Sequence, residues 1–320
     1  MKNIDVFNGD ADGICALIQL RLAHPTDSTL ITGVKRDIQL LKKVSAKKGD
    51  KVTVLDISME KNTNELHNLL AAGVSVFYVD HHIPGEIPKH INLEVIIDTS
   101  PTTCTSLLVD KYLKGKYREW AIVAAFGDNM RKSALSTAKK LSLSTSHIEQ
   151  LKQLGISINY NGYGSNLDDL HFKPDQLYLE MVKYTSPFDF IKDSQSAYKK
   201  LQTGYDNDIA LTNTLNPETS TKNTAIYKLP NELWARRVSG VFGNQLANQY
   251  PDRAHAILTD HPEGGFTVSV RAPINNLNHA GELCSKFPTG GGRKGAAGIN
   301  QLPDSQVDAF ISLFNETYLL

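Results

Sequence analysis

The feature that most constrains the fold of this chain is a short apolar run that ends in three chemically active side chains. Residues 74–79 are rich in β-branched and aromatic side chains, which predicts a buried strand. Asp80, His81 and His82 follow directly, and a Pro-Gly turn comes next at 84–85. One carboxylate and two imidazoles therefore lie where a strand ends, at the edge where open α/β sheets bind ligands.

The N-terminal half of the chain repeats this succession of strand and acidic residue. Strand-like segments alternate with amphipathic helical segments, which predicts a parallel sheet covered by helices. The carboxylates that follow these segments are Asp10, Asp12, Asp56, Asp80, Asp98 and Asp128. Because the carboxyl ends of parallel strands share one edge, we expect these groups to converge there. Asp98 is the exception, since Ser100 and Pro101 predict a turn at that point.

Converging carboxylates predict a bound cation. Burying several carboxylates together is unfavourable unless positive charge neutralises them. Oxygen ligands with one or two imidazoles suit Mn²⁺, Mg²⁺ or a similar ion. The number of ligands exceeds what one ion needs, so we expect two ions about 3.5–4 Å apart that share a bridging carboxylate. Such pairs serve the hydrolysis of phosphate esters.

Each carboxylate also has a purely structural interpretation. Asp10 and Asp12 suit a turn, or the cap of the helix predicted at 14–23. The loop at 8–13 also resembles the start of a calcium-binding EF-hand loop, but Gln19 stands where that loop needs Glu, so calcium is discounted. Taken singly, each structural interpretation is favoured. Taken together, at successive segment ends, the carboxylates favour a metal site.

A glycine-rich segment near the C-terminus is a second candidate for binding. It spans residues 290–298, and its first five residues are Gly290, Gly291, Gly292, Arg293 and Lys294. Consecutive glycines permit close backbone approach to a ligand, and we expect residues 296–297 to open a helix whose N-terminus favours an anion. Arg271, at the end of a predicted strand, adds a guanidinium suited to phosphate. In isolation, the glycine-rich segment would be interpreted as a surface turn.

Composition and pattern together indicate two domains. Residues 1–192 form the predicted catalytic domain, and within it we expect the segment at 159–166, rich in Tyr, Asn and Gly, to be a loop. Residues 193–223 are polar and rich in Thr, Asn and Asp, so we interpret them as a linker. Residues 224–320 form a second, smaller α/β domain.

The overall charge excludes some classes of partner. The chain has 34 basic and 34 acidic residues, so no global field favours nucleic acid or a membrane surface. No apolar run reaches the ~18 residues of a membrane span, and the N-terminus does not resemble a signal peptide. The 3 cysteines form no CxxC motif, which predicts neither a zinc knuckle nor a disulfide framework. We expect a cytoplasmic protein.

In six motifs the chain resembles the DHH phosphoesterase family, in the two-domain form with a DHH-associated C-terminal domain, as in nano-RNase or oligoribonuclease-type members. The motifs lie at 8–13, 54–56, 80–82 and 127–128 in the N-terminal domain, and at 269–271 and 290–298 in the C-terminal domain. The resemblance spans nearly the whole chain. It implies a parallel-sheet DHH domain, a smaller α/β domain and an active site in the cleft between them.

The resemblance also implies roles for individual residues. It implies two Mn²⁺ ions, with Mg²⁺ or Co²⁺ as alternatives. One ion would be held by Asn8, Asp10 and Asp56, and the other by Asp12, Asp56, His81 and Asp128. His82 would face the scissile phosphate and Asp80 would orient the histidine pair. Arg271 and the 290–298 segment would bind the terminal phosphate or nucleotide of the substrate.

Two positions depart from the family pattern. Many members have His where this chain has Asn8, and an amide oxygen is a weaker ligand than imidazole for these ions. The C-terminal segment usually carries His after its glycines, where this chain has Arg293. The first departure concerns the strength of the first metal site, and the second concerns which end group of a substrate is bound.

The function implied is metal-dependent hydrolysis of phosphodiester or phosphomonoester bonds in short oligonucleotides or small nucleotides, like a 3′–5′ exoribonuclease. The lack of a basic surplus disfavours long polymers. A polyphosphate or pyrophosphate hydrolase is an alternative with the same metal centre. A nucleotide-binding protein with a weakened metal site is another, and Asn8 is the residue that supports it. Association as a homodimer is left open.

Overall fold

The computed structural model describes residues Met1–Leu319, which form two compact units. The first is Met1–Gly204, and the second begins at Tyr205. Among the helices of the described residues, none combines the length and the apolar character needed to cross a bilayer.

The first unit contains a five-stranded sheet and its covering helices. Its strands are β1 (Asn3–Phe7), β2 (Thr29–Ile31), β3 (Lys51–Leu55), β4 (Ser75–Asp80) and β5 (Leu93–Ile97). Its helices are α1 (Ala11–Ala23), α2 (Thr63–Ala71), α3 (Thr105–Tyr112), α4 (Arg118–Gly127), α5 (Arg131–Lys139), α6 (Thr145–Gly162), α7 (Pro174–Met181), α8 (Pro187–Lys192) and the part of α9 (Tyr198–Leu211) up to Gly204. The strand order is β2-β1-β3-β4-β5 and every pair is parallel, which confirms the predicted sheet.

The central strands are apolar because both faces of this sheet are covered. Val6 and Val54 belong to a core cluster on one face, whereas Phe7 and Leu55 belong to a second cluster on the other. All four are fully buried, and burial of each such side chain contributes about 1.5–3 kcal/mol. A strand buried on both sides must end before polar residues can follow, so the acidic residues come at its carboxyl end.

Helix α6 replaces part of the predicted loop at 159–166, so that prediction was wrong as far as Gly162. Residues 157–162 are all buried, and α6 packs closely on α4. A Cβ at Gly155 would lie 2.2 Å from the carbonyl oxygen of Val123, so glycine is required there for the helices to approach. Tertiary packing therefore outweighs the low helix propensity of Asn and Gly.

The predicted linker at 193–223 contains the whole of α9. Ala197, Tyr198 and Leu201 are buried in the core of the first unit, and Asp208 lies 2.7 Å from Arg237 in the second. The boundary at 204–205 thus falls inside α9. This helix was not predicted because its few apolar residues, although at helical spacing, lie in a mainly polar segment.

The second unit contains a six-stranded mixed sheet. Its elements are β6 (Thr219–Ser220), β7 (Thr224–Leu229), α10 (Leu233–Gln249), β8 (Ala254–Asp260), β9 (Phe266–Arg271), α11 (Ala280–Cys284), β10 (Gly290–Gly292), β11 (Ala296–Leu302) and α12 (Val307–Thr317). The order is β10-β11-β9-β8-β7-β6, in which β7 and β8 are parallel and the other pairs antiparallel. This is the smaller α/β unit that the sequence predicts.

The expected helix at 296–297 does not form. Residues 296–297 begin β11, which pairs with β10 so that Gly291 lies opposite Gly298. Ala297 and Ile299 alternate into the core with a period of two, and this strand pattern outweighs a helix start. We call residues 290–298 the glycine hairpin.

Candidate metal centre

The parallel strands bring the predicted acidic residues to one edge of the first sheet. Asp10 and Asp12 follow β1, Asp56 follows β3, and β4 ends at Asp80, each at most 3% exposed. Asp128 joins them from the end of α4. Asp98 does not, because its carboxylate is exposed and accepts the Ser100 N–H at 2.9 Å in the turn predicted there. We call Asp10, Asp12, Asp56, Asp80, Asp128, His81 and His82 the acidic edge.

Asp12 is held by the N-terminus of α3. Its two carboxylate oxygens accept the N–H groups of Thr105 and Ser106 at 2.8 and 2.7 Å. These donors belong to the first turn of a helix, where backbone N–H groups have no partner within the helix. Burial nevertheless raises the pKa of Asp12, against the lowering effect of His81, and the nearby charges of Asp128 and Asp10 add to the increase.

His81 is oriented by a backbone carbonyl. Its Nδ1 atom donates to the carbonyl oxygen of Thr103 at 3.0 Å, so Nε2 is the atom directed at the carboxylates. Nε2 lies 3.3 Å from Asp56 Oδ1 and 3.8 Å from Asp12 Oδ2. This is the arrangement of a metal-ligating histidine, in which the second ring nitrogen fixes the tautomer.

Asp56 adopts a backbone conformation that few residues other than glycine occupy. Its φ is 58°, in the left-handed region that Asp and Asn tolerate best. Burial raises the pKa of Asp56 well above its ordinary value, and the charges of Asp10 and Asp12 raise it further. Strained backbone combined with a desolvated carboxylate is characteristic of functional sites.

Asp80 and His82 form a buried pair. His82 Nδ1 lies 2.7 Å from Asp80 Oδ1, and within the described chain the other oxygen, Oδ2, is buried without a hydrogen-bond partner. Asp80 thus pairs with His82, and its role in orienting His81, which the resemblance also implies, stays a prediction. The hydrogen bond that orients His81 goes to the carbonyl oxygen of Thr103.

The acidic edge contains two overlapping groups of side chains that fit a cation. One comprises Asp12, His81 and Asp128, and the other Asp56, His81 and His82. Within each group the ligand atoms lie within 4.8 Å of one another. Burial raises the pKa values of Asp12 and Asp56, and neighbouring carboxylates, among them Asp10, raise both further. Carboxylate oxygens with imidazole nitrogens suit a divalent ion such as Mn²⁺ or Mg²⁺, so the residues fit a divalent cation.

Lys35 is a member of this site that sequence reasoning missed. Its ammonium forms an ion pair with Asp10 and lies 3.4 Å from Asp128 Oδ1 and 3.2 Å from Asn159 Oδ1. Burial acts to lower the pKa of Lys35, but the Asp10, Tyr163 and Asp128 groups outweigh it, and the pKa is raised. The available signal was that Lys35 follows β2, a parallel strand ending at the same edge.

Asn8 and Asp10 are engaged in local hydrogen bonds. Asn8 Oδ1 accepts the Asp10 N–H at 3.2 Å, and Asn8 Nδ2 donates to the carbonyl oxygen of Lys35 at 3.1 Å. Asp10 Oδ1 accepts the N–H groups of Asp12 and Gly13, so it caps α1 as the structural interpretation predicts. Among the described carboxylates and imidazoles, Asp10 does not belong to the groups that fit a cation.

The predicted substrate-binding residues lie together in the second unit. Arg271, at the end of β9, is directly opposite Ala296 of the glycine hairpin. Its guanidinium donates to Asn244 Oδ1 at 2.6 Å and to the carbonyl oxygen of Gly240 at 3.3 Å, both in α10. Lys294 is exposed and Arg293 half-buried at the turn between β10 and β11. Their roles in binding stay predictions.

Several solved structures share this fold. No protein-family model and no curated protein matches the chain. RecJ from Thermus thermophilus in complex with Mn²⁺ is 18% identical with a TM-score of 0.59, over 99% of this chain and 52% of RecJ. This chain therefore spans about half the length of that protein.

Two further structures match over most of both chains. Exonuclease RecJ bound to manganese is 17% identical with a TM-score of 0.57, over 99% of this chain and 90% of that one. An exopolyphosphatase-related protein from Bacteroides fragilis is 14% identical with a TM-score of 0.53, over 98% and 91% of the two chains. At these identities the likeness establishes the fold.

Proposed function

We propose that this chain, which has the fold of the DHH phosphoesterases, is a divalent-metal-dependent hydrolase of phosphoester bonds. The observation that carries the proposal is the convergence of the Asp12, Asp56 and Asp128 carboxylates on His81 at one sheet edge, with ligand atoms within 4.8 Å in each group. The pKa values of Asp12 and Asp56, raised by burial and then by neighbouring carboxylates, support it, because a divalent cation would stabilise the ionised forms of both groups.

A divalent cation held there would lower the pKa of a bound water and polarise a phosphoryl oxygen. Residues of the chain would hold the cation and face the substrate. His82 is 31% exposed and its Nδ1 is paired with Asp80, which leaves Nε2 as the ring atom to face a phosphate. The N-terminus of α3 holds Asp12, and Thr103 holds His81, so both metal-binding groups are fixed before substrate arrives.

We propose Mn²⁺ as the ion and short oligonucleotides or small nucleotides as substrates. Two of the solved structures that share this fold are RecJ proteins with bound manganese, and one of them is an exonuclease. The balance of 34 basic and 34 acidic residues supports short substrates, because long polymers are bound through many phosphate contacts. Arg271, Arg293 and Lys294 would bind a terminal phosphate.

Polyphosphate or pyrophosphate hydrolysis is the second candidate. The exopolyphosphatase-related protein with this fold favours it, and the same metal centre would serve. The nucleobase of a nucleotide would add a contact with the protein that inorganic phosphates lack. The relative rates of hydrolysis of nucleotides and polyphosphates of equal length therefore discriminate between the two candidate functions.

The test is a substrate panel on purified protein supplied with Mn²⁺, Mg²⁺ or Co²⁺. It includes di- to pentanucleotides with either end phosphorylated, 3′-phosphoadenosine 5′-phosphate, pyrophosphate and polyphosphate. We expect Mn²⁺-dependent release of mononucleotide or phosphate that EDTA abolishes. If metal-loaded protein hydrolyses none of these phosphates, the proposed function is wrong and the alternative of a nucleotide-binding protein is favoured.

A further inference from the structure

Lys35 reaches the acidic edge because three chain segments pack with almost no space between them. A Cβ at Gly9 would lie 2.0 Å from the carbonyl oxygen of Gly33, and one at Gly162 would lie 3.1 Å from Asp10 Cα. Glycine at these positions lets the loop after β2 and the end of α6 press against the loop after β1. The position of Lys35 is therefore set by backbone packing.

The side chain of Asn8 fixes this loop. Its Nδ2 donates to the carbonyl oxygen of Lys35 at 3.1 Å, while the Lys35 N–H donates to the carbonyl oxygen of Gly162 at 2.8 Å. Asn8 Oδ1 accepts the Asp10 N–H at 3.2 Å, and Asn8 is 5% exposed. Both polar ends of the amide thus connect Lys35 to Asp10, at the position where an imidazole would be a metal ligand.

The Lys35 ammonium has as many acceptors as it has donors. Its three N–H groups face Asp10 Oδ2, Asp128 Oδ1 and Asn159 Oδ1. The other oxygen of Asp10 accepts two backbone N–H groups, at 2.9 and 3.1 Å. Each oxygen of Asp10 therefore already has a hydrogen-bond donor, and the positive charge beside it comes from the chain itself.

We propose that the Lys35 ammonium takes the place of a first metal ion beside Asp10, so that this chain binds a single divalent cation. The ligands of that cation would come from the two groups that share His81, which are Asp12 with Asp128 and Asp56 with His82. The inference rests on the metal-dependent function proposed above and departs from the two-ion centre that the resemblance implies. A second divalent ion against Asp10 would meet a like charge, and it would have to displace the ammonium from three oxygens.

The experiment counts metal ions, independently of activity. Metal-free wild-type protein is titrated with Mn²⁺ by calorimetry, and the loaded protein is examined by electron paramagnetic resonance. A Lys35→Met, Asn8→His double variant removes the ammonium and supplies an imidazole. The matched control is Lys43→Met, which removes an exposed lysine 3.6 Å from Asp37 in the same region. Circular dichroism establishes that each variant is folded.

We expect one Mn²⁺ per chain and an uncoupled six-line signal for the wild type and the Lys43→Met control. The double variant is expected to bind a second ion and to show an exchange-coupled signal. Two ions of similar affinity in the wild type would overturn the proposal, and so would a folded double variant that still binds only one. If the wild type binds two ions and hydrolyses a phosphate ester, this inference is wrong and the proposed function stands. If it binds one ion and hydrolyses none of the phosphates, the proposed function is wrong and the ion count stands.

Discussion

The acidic edge and the glycine hairpin carry opposite charge and are built in opposite ways. At the acidic edge, Asp12 and Asp56 are almost fully buried, and α3 donates two backbone hydrogen bonds to Asp12 and one from the Thr105 hydroxyl to Asp56. At the hairpin, Arg293 is half-buried and Lys294 exposed, on a turn between two short strands. The difference teaches that the proposed metal ligands are fixed in advance, whereas the basic side chains proposed to bind phosphate stay hydrated until substrate binds.

The two units also bury ionisable groups differently. The first unit gathers them at one edge, where a cation can meet them. The second buries His255 completely within β8, and neither ring nitrogen has a hydrogen-bond partner in the part of the chain that is described. Removal of metal should therefore change mainly the stability of the first unit, and acid should change mainly the stability of the second.

Substitution of Asp56 should have the largest effect. Loss of an outer partner of a metal ligand already costs about 10–100-fold in affinity or activity, so Asp56→Asn is expected to lower kcat/KM by more than about 100-fold. Metal-free Asp56→Asn should have a higher Tm than metal-free wild type at pH 7. The reason is that the pKa of Asp56 is raised well above its ordinary value, so its ionised form destabilises the folded state.

Asp98→Asn is the matched control for Asp56→Asn, since Asp98 follows β5 of the same sheet but its carboxylate is exposed and stands apart from the acidic edge. It should change neither kcat/KM nor Tm. Equal loss of activity in both variants would show that the edge as a whole, and not the cation site, is required.

The second prediction concerns His255 and acid. Burial, then the charge of Arg253, lowers the pKa of His255 from 6.5 to about 4. A folded-state pKa below the unfolded value means that stability present above pH 6.5 is lost as the pH falls to 4, by about 3 kcal/mol. His255→Leu should reduce this loss in the second unit, measured by hydrogen exchange at pH 7 and pH 4.5. The control is His261→Leu, and an unchanged acid response in His255→Leu would refute the prediction.

The third prediction concerns the glycine hairpin. A hydrogen bond to a charged group contributes about 1.5–3 kcal/mol, so Arg293→Ala should raise KM by roughly tenfold or more with little change in kcat. Lys286→Ala removes an exposed lysine elsewhere in the second unit and serves as the control. A fall in kcat with KM unchanged would place Arg293 in the chemical step and weaken the contrast between the two regions.

The smallest effect is expected at Gly291. A Cβ there would meet no atom within 4 Å, so Gly291→Ala should change the free energy of unfolding by no more than about 0.5 kcal/mol. At Gly290 a Cβ would lie 1.8 Å from the carbonyl oxygen of Cys284, so Gly290→Ala should destabilise strongly. A rise in KM for Gly291→Ala at unchanged Tm would indicate that substrate approaches the backbone here.

Much of the first unit could be predicted because its signals are local. The apolar runs that become β3 and β4 are each followed at once by a carboxylate, and parallel pairing then places Asp56 and Asp80 at one edge. Asp98 was recognised as a turn residue from its neighbours alone. Helix α6 and the start of β11 were mispredicted because burial against other segments, not local propensity, decided them.

The sequence by itself determined which side chains reach the acidic edge from the strand ends, because strand periodicity and chain order settle both the edge and the face. Only the tertiary structure decided what those side chains meet there. The pairing of Lys35 with Asp10, and the use of Asn8 to hold Lys35, depend on close packing of the loops after β1 and β2 against the end of α6. Contacts between segments so far apart in the chain leave no periodic or local pattern in the sequence.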